Sequence, residues 1–324
     1  MGRVCVLLAT YNGSCYIEEQ LKSLFEQSCR PQKIIISDDN STDNTWSIIE
    51  QWQKRYPSIV ELHRNTTTRH GHVGNFTYLC ELGKKTTCKY FLFCDQDDVW
   101  LDTKIETLVE ECKRQEGEDV GLEPVLVHSD LEVVDSNLKE IAPSFFEYQG
   151  LPHASELSFP KLFIQNNVTG CASLVNRCLL ELATPLPDQV LVHDWWFTQV
   201  AHALGKVSFI NNTLVKYRQH GGNAIGASAK QQIKFMSPQH IRLLINAAKH
   251  LKSSYLQAQA LSSKLEKQAP GLAKQQRYSF AYLDKLTIKQ RWSLAKELVN
   301  NRRCLFEKTL MNLAMIWLII FHSK

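Results

Sequence analysis

Residues 90–98 read Tyr90-Phe91-Leu92-Phe93-Cys94-Asp95-Gln96-Asp97-Asp98. Five consecutive residues with apolar bodies and no polar alternation form the pattern of a strand buried on both faces. The chain leaves that strand directly into an acidic turn. The same arrangement recurs upstream. Val4 to Ala9 (VCVLLA) is a buried strand ending in Thr10-Tyr11-Asn12-Gly13. Lys33-Ile34-Ile35-Ile36-Ser37 is a second, running into Asp38-Asp39-Asn40-Ser41-Thr42-Asp43. Ile59 to Leu62 is a third, shorter strand. Helical spacing fills the gaps: Ile17, Leu21, Leu24 and Phe25; then Trp46, Ile49 and Trp52; then Phe76 to Leu82 and Lys104 to Arg114. Continuously apolar strands separated by helices specify an α/β fold with a parallel sheet covered on both faces. Ligands bind such sheets beyond the carboxyl ends of the strands. Three strands therefore bring Asn and Asp side chains to one edge.

The pattern is less regular from 120 to 222, where Val125 to His128 and Lys206 to Ile210 read as strands and Asp194 to Ala203 as a helix. From about 235 the chain is helical and basic. Ile241, Leu244, Ile245, Ala248, Leu251, Tyr255 and Leu256 form an apolar stripe that Pro270-Gly271 ends. Leu310 to Phe321 is a mostly apolar tail, too short for the ~20 residues of a bilayer span. It reads either as a last core helix or as an interfacial anchor beside the basic helices.

The 324 residues carry 44% hydrophobic and 22% charged side chains. That balance excludes disordered, collagenous and multi-span membrane classes. The net charge of +4 is a cancellation: residues 1–222 hold 20 Lys and Arg against 29 Asp and Glu, whereas residues 223–324 hold 17 against 4. The division implies two parts with different electrostatic partners. The ten cysteines show no CxxC pair and no zinc spacing, which points to a reducing compartment rather than a disulfide framework. Val4 to Ala9 is too short for a signal-peptide core, and Val6 stands where a myristoylation signal has Ser or Thr.

The acidic turn carries the first chemistry. Carboxylates two apart at a strand end meet one hard cation, and Mn2+ or Mg2+ prefers oxygen ligands while leaving positions open for phosphate. In the second turn a carboxylate can accept from a base N–H or a ribose hydroxyl, with Ser41 or Asp43 capping the helix that follows. His128-Ser129-Asp130 ends another strand, either lining an acceptor cleft or packed with a bonded Asp.

Taken together, LLATYNG, SDDNSTDNT and FCDQDDVW resemble the opening half of family 2 glycosyltransferases, in matching order and spacing. DQDDVW with HDWW and YRQHGGN resembles the branch that includes rhamnosyltransferases and other cell-surface polysaccharide enzymes. The resemblance covers roughly residues 1–225. It implies a GT-A fold, a Rossmann-like mostly parallel sheet with flanking helices, over a catalytic domain of 1–225. A basic helical region, 226–324, is left as an appendage facing an anionic membrane surface. The implied activity is an inverting, metal-dependent transfer of one sugar, rhamnose as the branch-level expectation, from a dTDP- or UDP-linked nucleotide-diphospho-sugar. The implied acceptor is a hydroxyl of a lipid-linked or oligosaccharide molecule, reached from the cytoplasm at the inner face of the cell membrane.

Residue by residue, the resemblance places Thr10, Tyr11 and Asn12 with the donor nucleotide and Asp39 on the base N3–H. Asp95 falls on the ribose or, through water, on the metal, with Mn2+ or Mg2+ as the cofactor. Asp97 is the direct metal ligand, with His220 completing the metal sphere or touching the diphosphate. Asp98 falls on the donor sugar and Arg218 on the leaving diphosphate. Gly170, in Val168-Thr169-Gly170-Cys171, lies on the acceptor side or is an ordinary strand-entry turn, and Trp195 and Trp196, also on the acceptor side, have rings that can stack on sugars or form core or groove wall. Asp194 occupies the place of the catalytic carboxylate and is the general base. The QxxRW motif of processive relatives is absent, since Gln290-Arg291-Trp292 has the wrong spacing; single-sugar transfer is favoured. A sugar-phosphate nucleotidyltransferase is disfavoured because no glycine-rich basic loop follows the first strand. A non-catalytic basic binding protein with a vestigial site lacks any nucleic-acid motif, and no nucleic acid partner is expected.

Overall fold

The computed structural model describes residues 3–118, 121–151, 162–163, 165–221 and 239–268. They divide between two compact units, one drawn from residues 1–156, 167–186 and 192–230 and the other from 157–166, 187–191 and 231–324. In the first unit the chain runs β1 (Val4–Thr10), α1 (Ile17–Phe25), β2 (Lys33–Asp38), α2 (Thr45–Arg55), β3 (Val60–Arg64), α3 (Gly71–Lys84) and β4 (Tyr90–Cys94). It continues as β5 (Val99–Trp100), α4 (Lys104–Glu116), β6 (Val125–Val134), β7 (Glu140–Ala142) and α5 (Phe145–Gln149). After a 3-10 turn over Gly170–Ala172 come β8 (Ser173–Asn176), α6 (Arg177–Ala183), α7 (His193–Leu204) and β9 (Lys206–Arg218).

The strands form one sheet in the order β3-β2-β1-β4-β8-β6-β9-β5, with β7 beside β6. The four strands from β3 to β4 are parallel, as the apolar runs predict. Beyond β4 the sheet adds antiparallel pairings: β8 runs antiparallel to β4 and β6, and β5 antiparallel to β9. Register explains the site. Thr10 pairs with Asp38 and Leu8 with Cys94, so the polar turns after β1, β2 and β4 emerge together. Because β8 is reversed, its first residue, Ser173, pairs with His128 at this same edge. The turn at Gly170 therefore precedes β8 there. β6 and β9 are parallel to each other, so Arg218 ends at that edge too.

The core lies on both sheet faces. Ile17, Leu21 and Leu24 of α1, Ile49 of α2 and Ile105 and Leu108 of α4 are fully buried; each pair or trio follows helical spacing. Asp130 does not face a cleft. It accepts the backbone N–H groups of Leu131, Phe145 and Phe146 and the Ser144 hydroxyl, which fixes the start of α5.

In the second unit α8 is described over Gln239–Gln268, and the Pro270-Gly271 expected to end it lies outside the described residues. Leu251, Tyr255, Ala258, Leu261 and Leu265 are its buried stripe, and Leu256 lies outside it at 38% exposure. The Gln257 side-chain Oε1 accepts the Leu191 N–H at 2.8 Å within this unit. No helix among the described residues is long and apolar enough to cross a membrane. The tail at 310–321 and the Gly222-Asn223 end of the YRQHGGN motif lie outside the described residues.

Candidate active site

The loop after β1 is built by side chains reaching across the sheet edge. Gln96 clamps it: its Oε1 accepts from the Thr10 hydroxyl (2.7 Å) and the Tyr11 N–H (2.9 Å), and its Nε2 donates to the Tyr11 carbonyl (3.0 Å). Tyr11 itself is 55% exposed, leaving an open ring beside the edge. Asn12 has φ 47°, a left-handed conformation that Asn tolerates. Its N–H donates to Ser41 Oγ and its Oδ1 accepts the Thr42 N–H at 2.8 Å, so it ties the loops after β1 and β2 together. Of the two capping candidates, Asp43 accepts the Thr45 N–H and hydroxyl. Burial opposes its ionisation, but these bonds and those of Ser14 hold it down at about 2.

Asp39 is mostly engaged by protein. Oδ1 accepts from Asn65 Nδ2 and His70 Nδ1, both at 2.8 Å, and Oδ2 accepts the Gly71 N–H at 2.6 Å. A carboxylate has about four acceptor positions; the three protein donors leave one on Oδ2. These bonds also fix the first turn of α3.

In the acidic turn the carboxylates divide by depth. Asp97 Oδ2 lies 2.8 Å from His220 Nε2. The two are hydrogen-bonded to each other, which ties the turn after β4 to the end of β9. Asp95, its side chain 30% exposed, is pushed up to about 7 by burial and by the charge of Asp97. Asp98 does not reach the cleft where a donor sugar was expected. It is fully buried because β5 begins at the next residue. Its Oδ1 accepts the Arg218 N–H at 3.0 Å, and burial and its acidic neighbours hold its carboxyl well above the ordinary range.

Asp95, Asp98 and Cys171 also place ligand atoms within 4.8 Å of one another. Asp98 and Cys171 are sealed from solvent, and burial keeps the thiol protonated. Hard cations favour ionised oxygen ligands, which this inner group supplies poorly. The inner group has its own cation. Lys104 is fully buried, donates to the Cys171 carbonyl, lies 3.1 Å from the Trp100 ring centroid, and is lowered to about 7 by burial.

Arg218 is also an internal cation rather than an open anion site. Its guanidinium is 2% exposed. Nε donates to the Asp97 carbonyl (2.8 Å), Nη1 to the Ser136 carbonyl (2.6 Å) and Nη2 to Glu19, with its face on the Tyr16 ring at 4.6 Å. It holds the acidic turn from behind.

The other side of the site is Asp194, the second residue of α7. Its Oδ2 accepts the Gly170 N–H at 2.8 Å and its Oδ1 the Trp195 N–H at 2.6 Å. Burial raises its carboxyl to about 6, against the opposing influence of His72 and the two N–H bonds. Gly170 is required by packing: a Cβ there would stand 2.7 Å from His193 Nε2 and 2.9 Å from Cε1. Trp195 and Trp196 are 2% and 0% exposed, and Trp196 Nε1 donates to the Ala183 carbonyl. The pair is core rather than a sugar-stacking surface, because α7 turns both rings inward.

His72, on the first turn of α3, was not marked by the sequence. Its Nε2 lies 3.9 Å from Asp95 Oδ1, and its ring packs edge-on to Phe76 and beside His193 at 5.0 Å. The carboxylates of Asp97 and Asp194 are its charged neighbours; burial nevertheless draws it below the ordinary imidazole range.

Residues 5–156 match the model of glycosyl transferase family 2. The dTDP-rhamnosyl transferase RfbG of Shigella flexneri is 30% identical over 236 residues, covering 70% of this chain and 76% of that relative. The chain belongs to glycosyl transferase family 2. Among solved structures, S. aureus TarS residues 1–349 with UDP-GlcNAc aligns with TM-score 0.53 at 15% identity, over 98% of this chain and 90% of that one. The mannosyltransferase PcManGT of Pyrobaculum calidifontis, bound to GDP-Man and Mn2+, aligns with TM-score 0.52 at 18% identity, over 100% and 88%. The fold of this family 2 enzyme is GT-A, and its activity is glycosyl transfer.

Proposed function

We propose that this glycosyltransferase is inverting and metal-dependent, and moves one sugar from a nucleotide-diphospho-sugar to an acceptor hydroxyl. The observation that carries the reading is the pairing of two unlike groups on one sheet edge. Asp97 and His220 stand together at 2.8 Å as a carboxylate and an imidazole, both able to ligate a cation, and Asp194 has a carboxyl raised to about 6 and held by two backbone N–H donors. A base poised near neutral pH is what deprotonation of a sugar hydroxyl needs.

In the proposed reaction Tyr11 and Thr10 lie beside the donor's base, and the remaining Oδ2 acceptor position of Asp39 takes its N–H. When bound, Mn2+ or Mg2+ on Asp97 and His220, with Asp95 reached through water, supplies positive charge opposite the donor's phosphates. Asp194 takes the proton of the acceptor hydroxyl as its oxygen attacks the anomeric carbon. The bond from that carbon to the phosphate oxygen breaks on the opposite face, and its electron pair leaves with the nucleoside diphosphate.

The donor sugar we favour is rhamnose on dTDP, supported by the likeness to RfbG. The acceptor we favour is a lipid-linked or oligosaccharide molecule. The excess of Lys and Arg in residues 223–324 supports docking of the region 226–324 on an anionic membrane at its cytoplasmic face, beside a catalytic domain of residues 1–225. A panel of nucleotide sugars tested for Mn2+-dependent hydrolysis and thermal stabilisation checks the reading. A response to dTDP-rhamnose or UDP-hexoses with Mn2+, lost with chelator, is expected; no response to any nucleotide sugar refutes it.

A further inference from the structure

We infer that His72 lies against the donor sugar and contributes to donor-sugar selection by hydrogen bonding through Nε2. The inference rests on the proposed single displacement and names a residue that reading does not use.

Three observations place it. His72 Nε2 lies 3.9 Å from Asp95 Oδ1, and the carboxylates of both Asp97 and Asp194 are its charged neighbours. In a displacement the anomeric carbon must lie between the leaving phosphate, held at Asp97, and the attacking hydroxyl, held at Asp194. A side chain that neighbours both carboxylates therefore borders the space the donor sugar crosses. Second, the ring is oriented. It packs edge-on to Phe76 and beside His193, its Nδ1 is buried with no hydrogen-bond partner among the described residues, and the side chain as a whole is 26% exposed. Nε2, the nitrogen nearest Asp95, is thus the one placed to meet a ligand. Third, its backbone is fixed. Asp39 accepts the Gly71 N–H at 2.6 Å and the His70 ring N–H at 2.8 Å, so the turn that presents His72 is tied to the end of β2. A polar group so held discriminates between sugars that differ by one hydroxyl, because a mismatched sugar leaves a desolvated donor unpaired.

The test compares His72→Phe and His72→Gln with the wild-type full chain in Mn2+. Two affinities are measured by calorimetry, for the nucleotide sugar and for the corresponding nucleoside diphosphate alone, together with kcat/KM for hydrolysis. The Phe variant keeps the ring packing and removes the polar nitrogen. It is expected to weaken nucleotide-sugar binding and kcat/KM about tenfold, the value of one hydrogen bond, with nucleoside-diphosphate affinity unchanged. The Gln variant restores part of the loss, since its amide reaches the position of Nε2. A Phe variant that matches wild type on every donor overturns the inference. So does one that loses nucleoside-diphosphate and nucleotide-sugar affinity equally, which would place His72 at the diphosphate. A wild-type protein that binds no nucleotide sugar overturns both this inference and the reading beneath it.

Discussion

Replacing Asp194 by Asn separates catalysis from stability, and the structure sets both magnitudes. Burial lifts the carboxyl from the ordinary 3.8 to about 6. A raised carboxyl binds its proton more tightly in the folded chain than in the unfolded one. Its cost to stability is therefore absent below pH 3.8, grows as the pH rises towards 6, and is constant above that. The displacement corresponds to a cost of about 3 kcal/mol at pH 7. Asn carries no charge to desolvate and removes that cost. Its amide nitrogen, however, cannot accept either the Gly170 N–H or the Trp195 N–H, so one hydrogen bond is lost at about 1 kcal/mol. The net expectation is a variant stabilised by roughly 1–2 kcal/mol at pH 7 and no more stable than wild type below pH 4. Transfer should fall by about 10²–10⁴-fold, the range of a missing general base. Urea unfolding at pH 4 and pH 7, read beside turnover, measures both. Wild-type turnover in Asp194→Asn refutes the base assignment. A loss of stability at pH 7 refutes the burial argument.

Asp97→Ala should weaken Mn2+-dependent donor binding by on the order of 100-fold, the upper end of what even outer partners of a metal cost; donor titrations with and without Mn2+ that match wild type would refute the cation pair. Gly170→Ala forces a Cβ to within 2.7 Å of the buried His193 ring, so we expect about 1–3 kcal/mol of overpacking, a lower melting temperature and reduced kcat, read by calorimetry and steady-state kinetics. Arg218→Met leaves Glu19 and two carbonyls without their buried donor. About 1–3 kcal/mol of stability should be lost, chiefly from the buried Asp97 carbonyl, since Glu19 is 56% exposed, and an unaltered denaturation midpoint would contradict the inward placement.

The parts of the fold that were legible are those fixed by local pattern. β1, β2 and β4 are runs of apolar residues, and the turns that follow them had to share an edge once the strands were parallel. β8 was not legible. Its four residues, Ser173-Leu174-Val175-Asn176, carry no period, and only their pairing with Leu92 and Val127 makes them a strand. Site residues divide the same way. Asp97, His220 and Asp194 stand in distinctive local sequences and come to the edge. Asp98 and Arg218 also stand in distinctive sequences, yet they are buried, because their partnership spans 120 positions and sequence spacing cannot show it. Lys104 reads as an ordinary solvated lysine at a helix start and is an internal cation. His72 follows no motif, and only the fold brings it beside Asp95, Asp97 and Asp194. Its one available signal was the run of polar residues in Arg69-His70-Gly71-His72 at a helix entrance.

The central claim is a single displacement on a GT-A edge, with Asp194 taking the proton. The most direct measurement is the anomeric configuration of the sugar first released or transferred, followed by proton NMR before mutarotation with a donor of known configuration. The account predicts a product of the opposite configuration, formed at a rate that rises with pH through about 6 as Asp194 loses its proton. A product that keeps the donor's configuration would contradict it.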